Sequence, residues 1–212
     1  MKIFMFWDAL TVIFAFGVGA IPFGIIIPRL TGLGDVRKTG SGNMGATNIT
    51  RIHGIKWGGI VFALDACKGS LAIIVASFVS SSLIPAAAVA VIIGHIFSPF
   101  LRFAGGKGVS TMFGVYVVAQ PWLGALGLLV WLSAFIASKR SSVGALSAVG
   151  VMALAGAIWR FVYPDNAVYG WVFDVTIPLV IYTAHRDNIH RLANGQEQAL
   201  SLQQPKMNKD LS

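Results

Sequence analysis

The chain is short of charge, short of carboxylates and almost without cysteine. Only 11% of its 212 residues are charged, against roughly 25% in a typical soluble domain, and mean hydropathy is +0.74. That composition excludes a water-soluble domain and predicts an integral membrane protein. The single cysteine, Cys67, lies in an apolar run, so no intrachain disulfide is available to staple the fold. Of the eight acidic residues, those expected on the basic face, Asp35, Asp187, Glu197 and Asp210, are scattered along the chain. Scattered carboxylates make a poor Mg²⁺ cradle, so metal-dependent phosphoryl or nucleotidyl transfer is not expected, and no metal or other cofactor is assigned. A G-x-S-x-G elbow and an H-x-x-x-x-D box are also missing. So is any basic stretch interleaved with aromatics, which leaves nucleic acid without support as a partner.

What the chain has in abundance is apolar sequence. Candidate spans run from Trp7 to Pro28, Ile55 to Val79, Leu83 to Leu101, Val109 to Ala137, Val143 to Phe161 and Trp171 to Ala184. The first could imitate a signal peptide, but it runs on to Pro28 without a small-residue cleavage site and reads as an uncleaved span. The fourth is 29 residues long. As one helix it would extend about 43 Å, against a hydrocarbon core of about 30 Å. Gln120-Pro121 near its middle opposes a continuous helix, so either a kinked helix or two short elements that dip in and return are possible.

Basic residues choose between these. If the segment returns, Arg29, Arg37, Lys38, Arg51, Lys56, Arg102, Lys107, Lys139, Arg140, Arg186, Arg191, Lys206 and Lys209 share one face. Only Lys2 and Arg160 then lie opposite, with Lys68 inside a span. The positive-inside rule favours that arrangement. The expected architecture is an all-α integral membrane bundle of seven transmembrane helices, the fourth and fifth short. Its N-terminus lies outside, and its C-terminus and site are cytoplasmic. Residues 1–197 form one membrane-embedded domain and 198–212 a disordered cytoplasmic tail. The net charge of +8 also attracts anionic lipid or substrate.

Three polar strings interrupt the apolar sequence. The first, GSGNMGATN, is followed by Arg51. Its glycines let amide hydrogens converge on an anion, Ser41, Asn43, Thr47 and Asn48 add neutral hydrogen-bonding groups, and Arg51 offers a bidentate fork. A turn leaving the membrane has a similar composition, but the density of small polar residues beside an arginine favours a phosphate site. The second, Gly105-Gly106-Lys107-Gly108, opens a helix at Val109, where free amides and the helix dipole favour an anion. It is not a P-loop, because Lys107 is followed by glycine rather than Ser or Thr. A tight interfacial turn is its bland reading. The third begins at His185 and Arg186; if the helix continues, His185 and Asn188 share a face. A basic helix end lying on headgroups explains the same residues.

Charges inside spans need a reason. Asp65 and Lys68, three apart, read first as a structural ion pair, with Lys68 near enough to the basic face to reach the site. His95 reads as a helix-packing residue, and Asp174 has no evident partner.

Taken in order, GSGNMGATN with Arg51, Asp65-x-x-Lys68-Gly69, Gly94-His95 leading to GGKG, and His185-Arg186-Asp187-Asn188-Ile189 resemble the bacterial acyl-phosphate:glycerol-3-phosphate acyltransferase family, PlsY. The likeness extends from the first span to about Glu197. Departures are mild: Asp187 stands where the family commonly has glutamate, and Ser110 where it commonly has alanine. The resemblance implies seven spans and transfer of a fatty acyl group from acyl phosphate to the 1-hydroxyl of glycerol 3-phosphate, with lysophosphatidic acid and phosphate as products. It implies that Ser41, Arg51, Lys107, His185 and Asn188 act on glycerol phosphate or the transition state, and that Gly105, Gly106 and Gly108 hold the acyl phosphate. Either His185 or a substrate phosphate oxygen could take the proton. Acyl phosphate, glycerol 3-phosphate and membrane lipid are the expected partners of a monomer. The competing class is a small phosphate or lipid-phosphate transporter, disfavoured because the polar groups gather at one face and no internal repeat is visible.

Overall fold

The computed structural model describes residues 2–163 and 170–200, and every regular element among them is helical. The first apolar run is not one helix. It forms α1 (Lys2–Ala20) and α2 (Phe23–Leu30), bent by 44°. Pro22 causes the break, because it has no N–H to continue the ladder. A carbonyl orphaned at membrane depth costs several kcal/mol, and the break threatens two. Ser98 Oγ donates to the Ala20 carbonyl at 2.6 Å, and Lys68 Nζ to the Ile21 carbonyl at 2.9 Å.

Next come α3 (Ala46–His53), α4 (Ile55–Val79) and α5 (Ile84–Ile96), the last extended by single turns at Ser81–Leu83 and Pro99–Leu101. Close helix approach in lipid needs small residues, and glycine supplies them reciprocally. A Cβ on Gly19 of α1 would overlap the Val91 carbonyl of α5, and one on Gly94 of α5 would overlap the Phe16 carbonyl of α1. Gly69 of α4 and Gly114 of α6 (Val109–Ala119) make the same exchange with Thr111 and Ala66. Ile73, Ile92, Met112, Tyr116, Val149 and Ile181 fill the core between these pairs.

The long fourth run breaks at Gln120, and α7 (Pro121–Ser138) follows with proline at its first position. The chain turns there, because a Cβ on Gly124 would lie 3.2 Å from the Tyr116 carbonyl carbon. One expectation needs correction. Only α6, with 11 residues, is short; α7 has 18, none of them charged, and is long enough to cross. Four stretches meet that standard, Ile55–Val79, Ser81–Leu101, Pro121–Ser138 and Ser141–Val162, with the bent α1–α2 pair a fifth if counted as one. Val109–Ala119 and Val172–Ala184 are shorter apolar helices, so seven crossings would require both of them to cross as well.

Beyond α8 (Ser141–Val162), the last run opens with a wide π-helical turn at Val172–Thr176, where the Tyr116 hydroxyl donates to the Phe173 carbonyl at 2.8 Å. Asp174 in this turn does have a partner. Its carboxylate takes both Nε, at 2.6 Å, and a terminal nitrogen of Arg160 from α8. A desolvated carboxylate at this depth requires such a fork. Then follow α9 (Ile177–Ala184) and α10 (Arg186–Ala193), separated at His185 rather than continuous as the sequence allowed. The segment after α10 folds back against the start of α8. Leu200 N–H donates to the Lys139 carbonyl at 2.7 Å, tying this segment to the α7–α8 turn. Residues 201–212 of the expected tail lie outside the described residues.

Candidate active site

Four polar connections meet around one cavity of about 550 Å³. Its lining brings together Ser41, Asn43, Thr47, Asn48 and Arg51 with Lys107, Gly108, His185 and Asn188, from strings that are up to 147 positions apart (188 minus 41). The hydroxyls of Thr47 and Ser141 are 2.9 Å apart, which places the start of α3 and the start of α8 on the same face of the bundle.

Local structure explains how each string is held. Gly40 and Gly42 have φ of 62° and 71°, a left-handed backbone that favours glycine. Asn48 is buried and fastens this turn: its amide donates to the Val36 and Thr39 carbonyls, and its Oδ1 accepts from Ser41 N–H at 2.8 Å. Asn43 Oδ1 accepts from Gly45 N–H at 2.8 Å. Asn48 thus spends both ends of its amide on the loop and Asn43 gives it one bond, while Arg51 makes no ion pair among the described residues and faces the cavity as a free cation. Three helices, α3, α6 and α8, begin in the cavity wall without a side-chain cap. Helix starts carry N–H groups without intrahelical partners and the positive end of the dipole, so all three favour an anion between them.

Lys107 Nζ donates to Asn188 Oδ1 in a very short bond. Burial is the main cause that drives its ammonium down to about 8. His185 is buried, with Nδ1 2.9 Å from the Ile181 carbonyl. A carbonyl only accepts, so the proton sits on Nδ1 and Nε2 keeps its lone pair. Burial first, then the Lys107 charge, pushes the imidazole down to about 4, leaving it neutral near pH 7.

Three residues proposed from sequence do not line the cavity. Lys68 sits with Nζ 2.8 Å from Asp65 and bonded to the Ile21 carbonyl, serving the helix break instead. Gly105 and Gly106 turn their amides inward, to the Ile96 and His95 carbonyls at 2.9 and 3.1 Å, so those N–H groups are not free for an anion.

One contributor was missed. Glu197 accepts from Ser142 Oγ and Asn188 Nδ2, both at 2.6 Å, and from Arg191 Nε at 2.7 Å. Burial opposes its charge, but these donors hold the carboxyl below the usual carboxylate range. It fixes the Asn188 amide so that Oδ1 faces Lys107. The signal for it was the helix stop at Asn194-Gly195, where Gly195 (φ 68°) folds the next residues back over α10.

The family model for glycerol-3-phosphate acyltransferase matches residues 9–195. The chain belongs to the glycerol-3-phosphate acyltransferase family. A relative of that name from Anaeromyxobacter dehalogenans is 39% identical over 195 residues, covering 89% of this chain and 95% of the relative. Another from Aquifex aeolicus is 38% identical over 191 residues, covering 88% and 95%. The fold matches crystal structures of PlsY (YgiH), an integral membrane glycerol 3-phosphate acyltransferase. The glycerol 3-phosphate form has a TM-score of 0.83 at 34% identity, over 92% of this chain and 96% of the other. The lysophosphatidic acid form has a TM-score of 0.82 at 33% identity. Membership makes this an integral membrane acyltransferase.

Proposed function

We propose that the protein transfers a fatty acyl group from acyl phosphate to the 1-hydroxyl of glycerol 3-phosphate, giving lysophosphatidic acid and inorganic phosphate at the cytoplasmic face of a bacterial inner membrane. One observation carries this. The cavity joins a polar end with Arg51, Lys107 and Arg191 to an apolar wall of Phe62, Leu128, Trp131 and Phe135. A doubly anionic acceptor and an acyl donor with a phosphate head and a hydrocarbon tail both fit a space divided in this way. The forms named for the matching PlsY structures, glycerol 3-phosphate and lysophosphatidic acid, support the same acceptor and product.

The reaction needs little from the protein beyond alignment and charge. An acyl phosphate is a mixed anhydride with an activated carbonyl, so holding the hydroxyl against it supplies most of the acceleration. The glycerol oxygen bonds to the acyl carbon, the bond from that carbon to the phosphate oxygen breaks, and the hydroxyl proton leaves. Lys107 and the start of α6 stabilise the oxyanion and the departing phosphate, while Arg51 and Ser41 hold the acceptor's phosphate. Asn188, locked by Glu197, orients Lys107. A substrate phosphate oxygen takes the proton of the 1-hydroxyl, while His185 Nε2, with its lone pair free, accepts from the neighbouring 2-hydroxyl and orients the acceptor.

The deciding experiment uses purified protein in detergent. Acyl phosphate with glycerol 3-phosphate should yield lysophosphatidic acid and phosphate in equal amounts without added metal, whereas acyl-CoA should give none. Product from acyl-CoA alone would overturn the donor assignment.

A further inference from the structure

Gly106 poses a problem that the substrate does not solve. Its φ lies outside the left-handed region that favours glycine, its amide is bonded inward, and it does not line the cavity. Neither backbone conformation nor contact with an anion therefore explains why a side chain is missing here. The space beside it does. A Cβ on Gly106 would overlap Nε2 of His95 and lie 3.0 and 3.1 Å from Cε1 and Cδ2 of the same ring.

We propose that Gly106 is glycine in order to admit the imidazole of His95, and that His95 is a positioning residue for the Gly105 to Gly108 loop. His95 is 3% exposed and forms part of the cavity wall, held there by its partners. Its Nδ1 lies 3.2 Å from Thr111 Oγ1 on the first turn of α6, and 3.5 Å from Asp65 Oδ1 on α4. Asp65 is in turn paired with Lys68, whose ammonium is bonded at the break in the first span. The imidazole is thus fixed from behind by two helices while its far edge supports the loop. The His95 carbonyl also accepts the Gly106 N–H, so one residue holds the loop through both backbone and ring. Immediately after Gly106 come Lys107, bonded to Asn188, and Gly108, where the backbone turns left-handed into α6. A shift of Gly106 therefore moves the ammonium and the helix start together.

The test is a double-mutant cycle between Gly106→Ala and His95→Asn. Asparagine keeps a polar atom near the position of Nδ1, facing Thr111, and removes Nε2 and Cε1, which opens the space that alanine needs. In wild-type background, Gly106→Ala should lower the melting temperature in detergent and raise KM for acyl phosphate about tenfold, with KM for glycerol 3-phosphate within about twofold. In the His95→Asn background the same alanine should cost little on either measure. An alanine as damaging in that background as beside the intact ring would overturn the proposal. If Gly106→Ala alone cannot be purified, recovery of folded protein in the double variant counts as the rescue, and failure of both counts against it. The kinetic arm rests on the acyl phosphate reading, whereas the melting arm does not. Rescued melting in a protein that does not use acyl phosphate would sink that reading and leave the packing intact.

Discussion

A single carboxylate organises the polar end of the cavity. Glu197 holds Arg191, Ser142 and Asn188, and Asn188 holds Lys107, so the ammonium is aimed through one intermediate. The types of residue needed for phosphate binding were legible in the sequence, because arginine, lysine and small polar residues gathered in connections. Which of them turn inward was not. Asn48 and Gly105 look equally suited to an anion on paper, yet one ties down its own loop and the other bonds to Ile96. Titration follows from the same burial. With the Lys107 ammonium lowered to about 8, charge at this position is present below that pH and lost as pH rises through it. The His185 imidazole, lowered to about 4, leaves the region near pH 6 to the second ionisation of a substrate phosphate. The pH profile of kcat/KM for glycerol 3-phosphate should therefore rise near 6 and fall near 8. Lys107→Arg should remove the falling limb, since guanidinium stays charged above about pH 12, at reduced turnover. His185→Gln should keep the rising limb. A falling limb unchanged in Lys107→Arg would assign it to another group.

At the scale of helices, prolines and glycines were the informative letters. Pro121 marked the turn between α6 and α7 correctly, because a proline near the middle of a 29-residue apolar run stops the helix there. Pro22 went unread. Its break is concealed by Lys68 and Ser98, which come from 46 and 76 positions away (68 and 98 minus 22) and cannot be matched to it by local pattern. The same pairing gives Lys68 the structural role that its spacing from Asp65 favoured, and that role differs in its consequences from substrate binding. Lys68→Met leaves Asp65 charged and buried without its ammonium partner, a loss on the order of 3 to 5 kcal/mol. It should lower the melting temperature in detergent sharply while any folded fraction keeps its KM for both substrates, and adding Asp65→Asn should recover part of the loss. A Lys68→Met protein that melts like wild type but has lost affinity for glycerol 3-phosphate would return this lysine to the site.

Across the whole molecule, the Thr47–Ser141 contact does what the count of basic residues could only favour. It brings the turn at Lys139 and Arg140 to the face that holds Arg51 and Lys107, so α6 and α7 leave that face and come back to it. We propose that this face is the cytoplasmic one, because arginine and lysine in short loops resist translocation. Opposite it lies the α4–α5 turn at Ser81–Leu83, which carries no charge. Labelling with a membrane-impermeant maleimide tests this in a Cys67→Ala background, with single cysteines at Ser41, Lys139 and Ser82, all exposed positions. Ser41→Cys and Lys139→Cys should react only in inside-out vesicles, and Ser82→Cys only in right-side-out ones. Opposite reactivity of positions 41 and 139 would separate two loops that the cavity requires side by side. No acyltransferase mechanism built on Arg51, Lys107 and Asn188 together would survive that result, since the start of α8 and the segment carrying Glu197 close the same cavity.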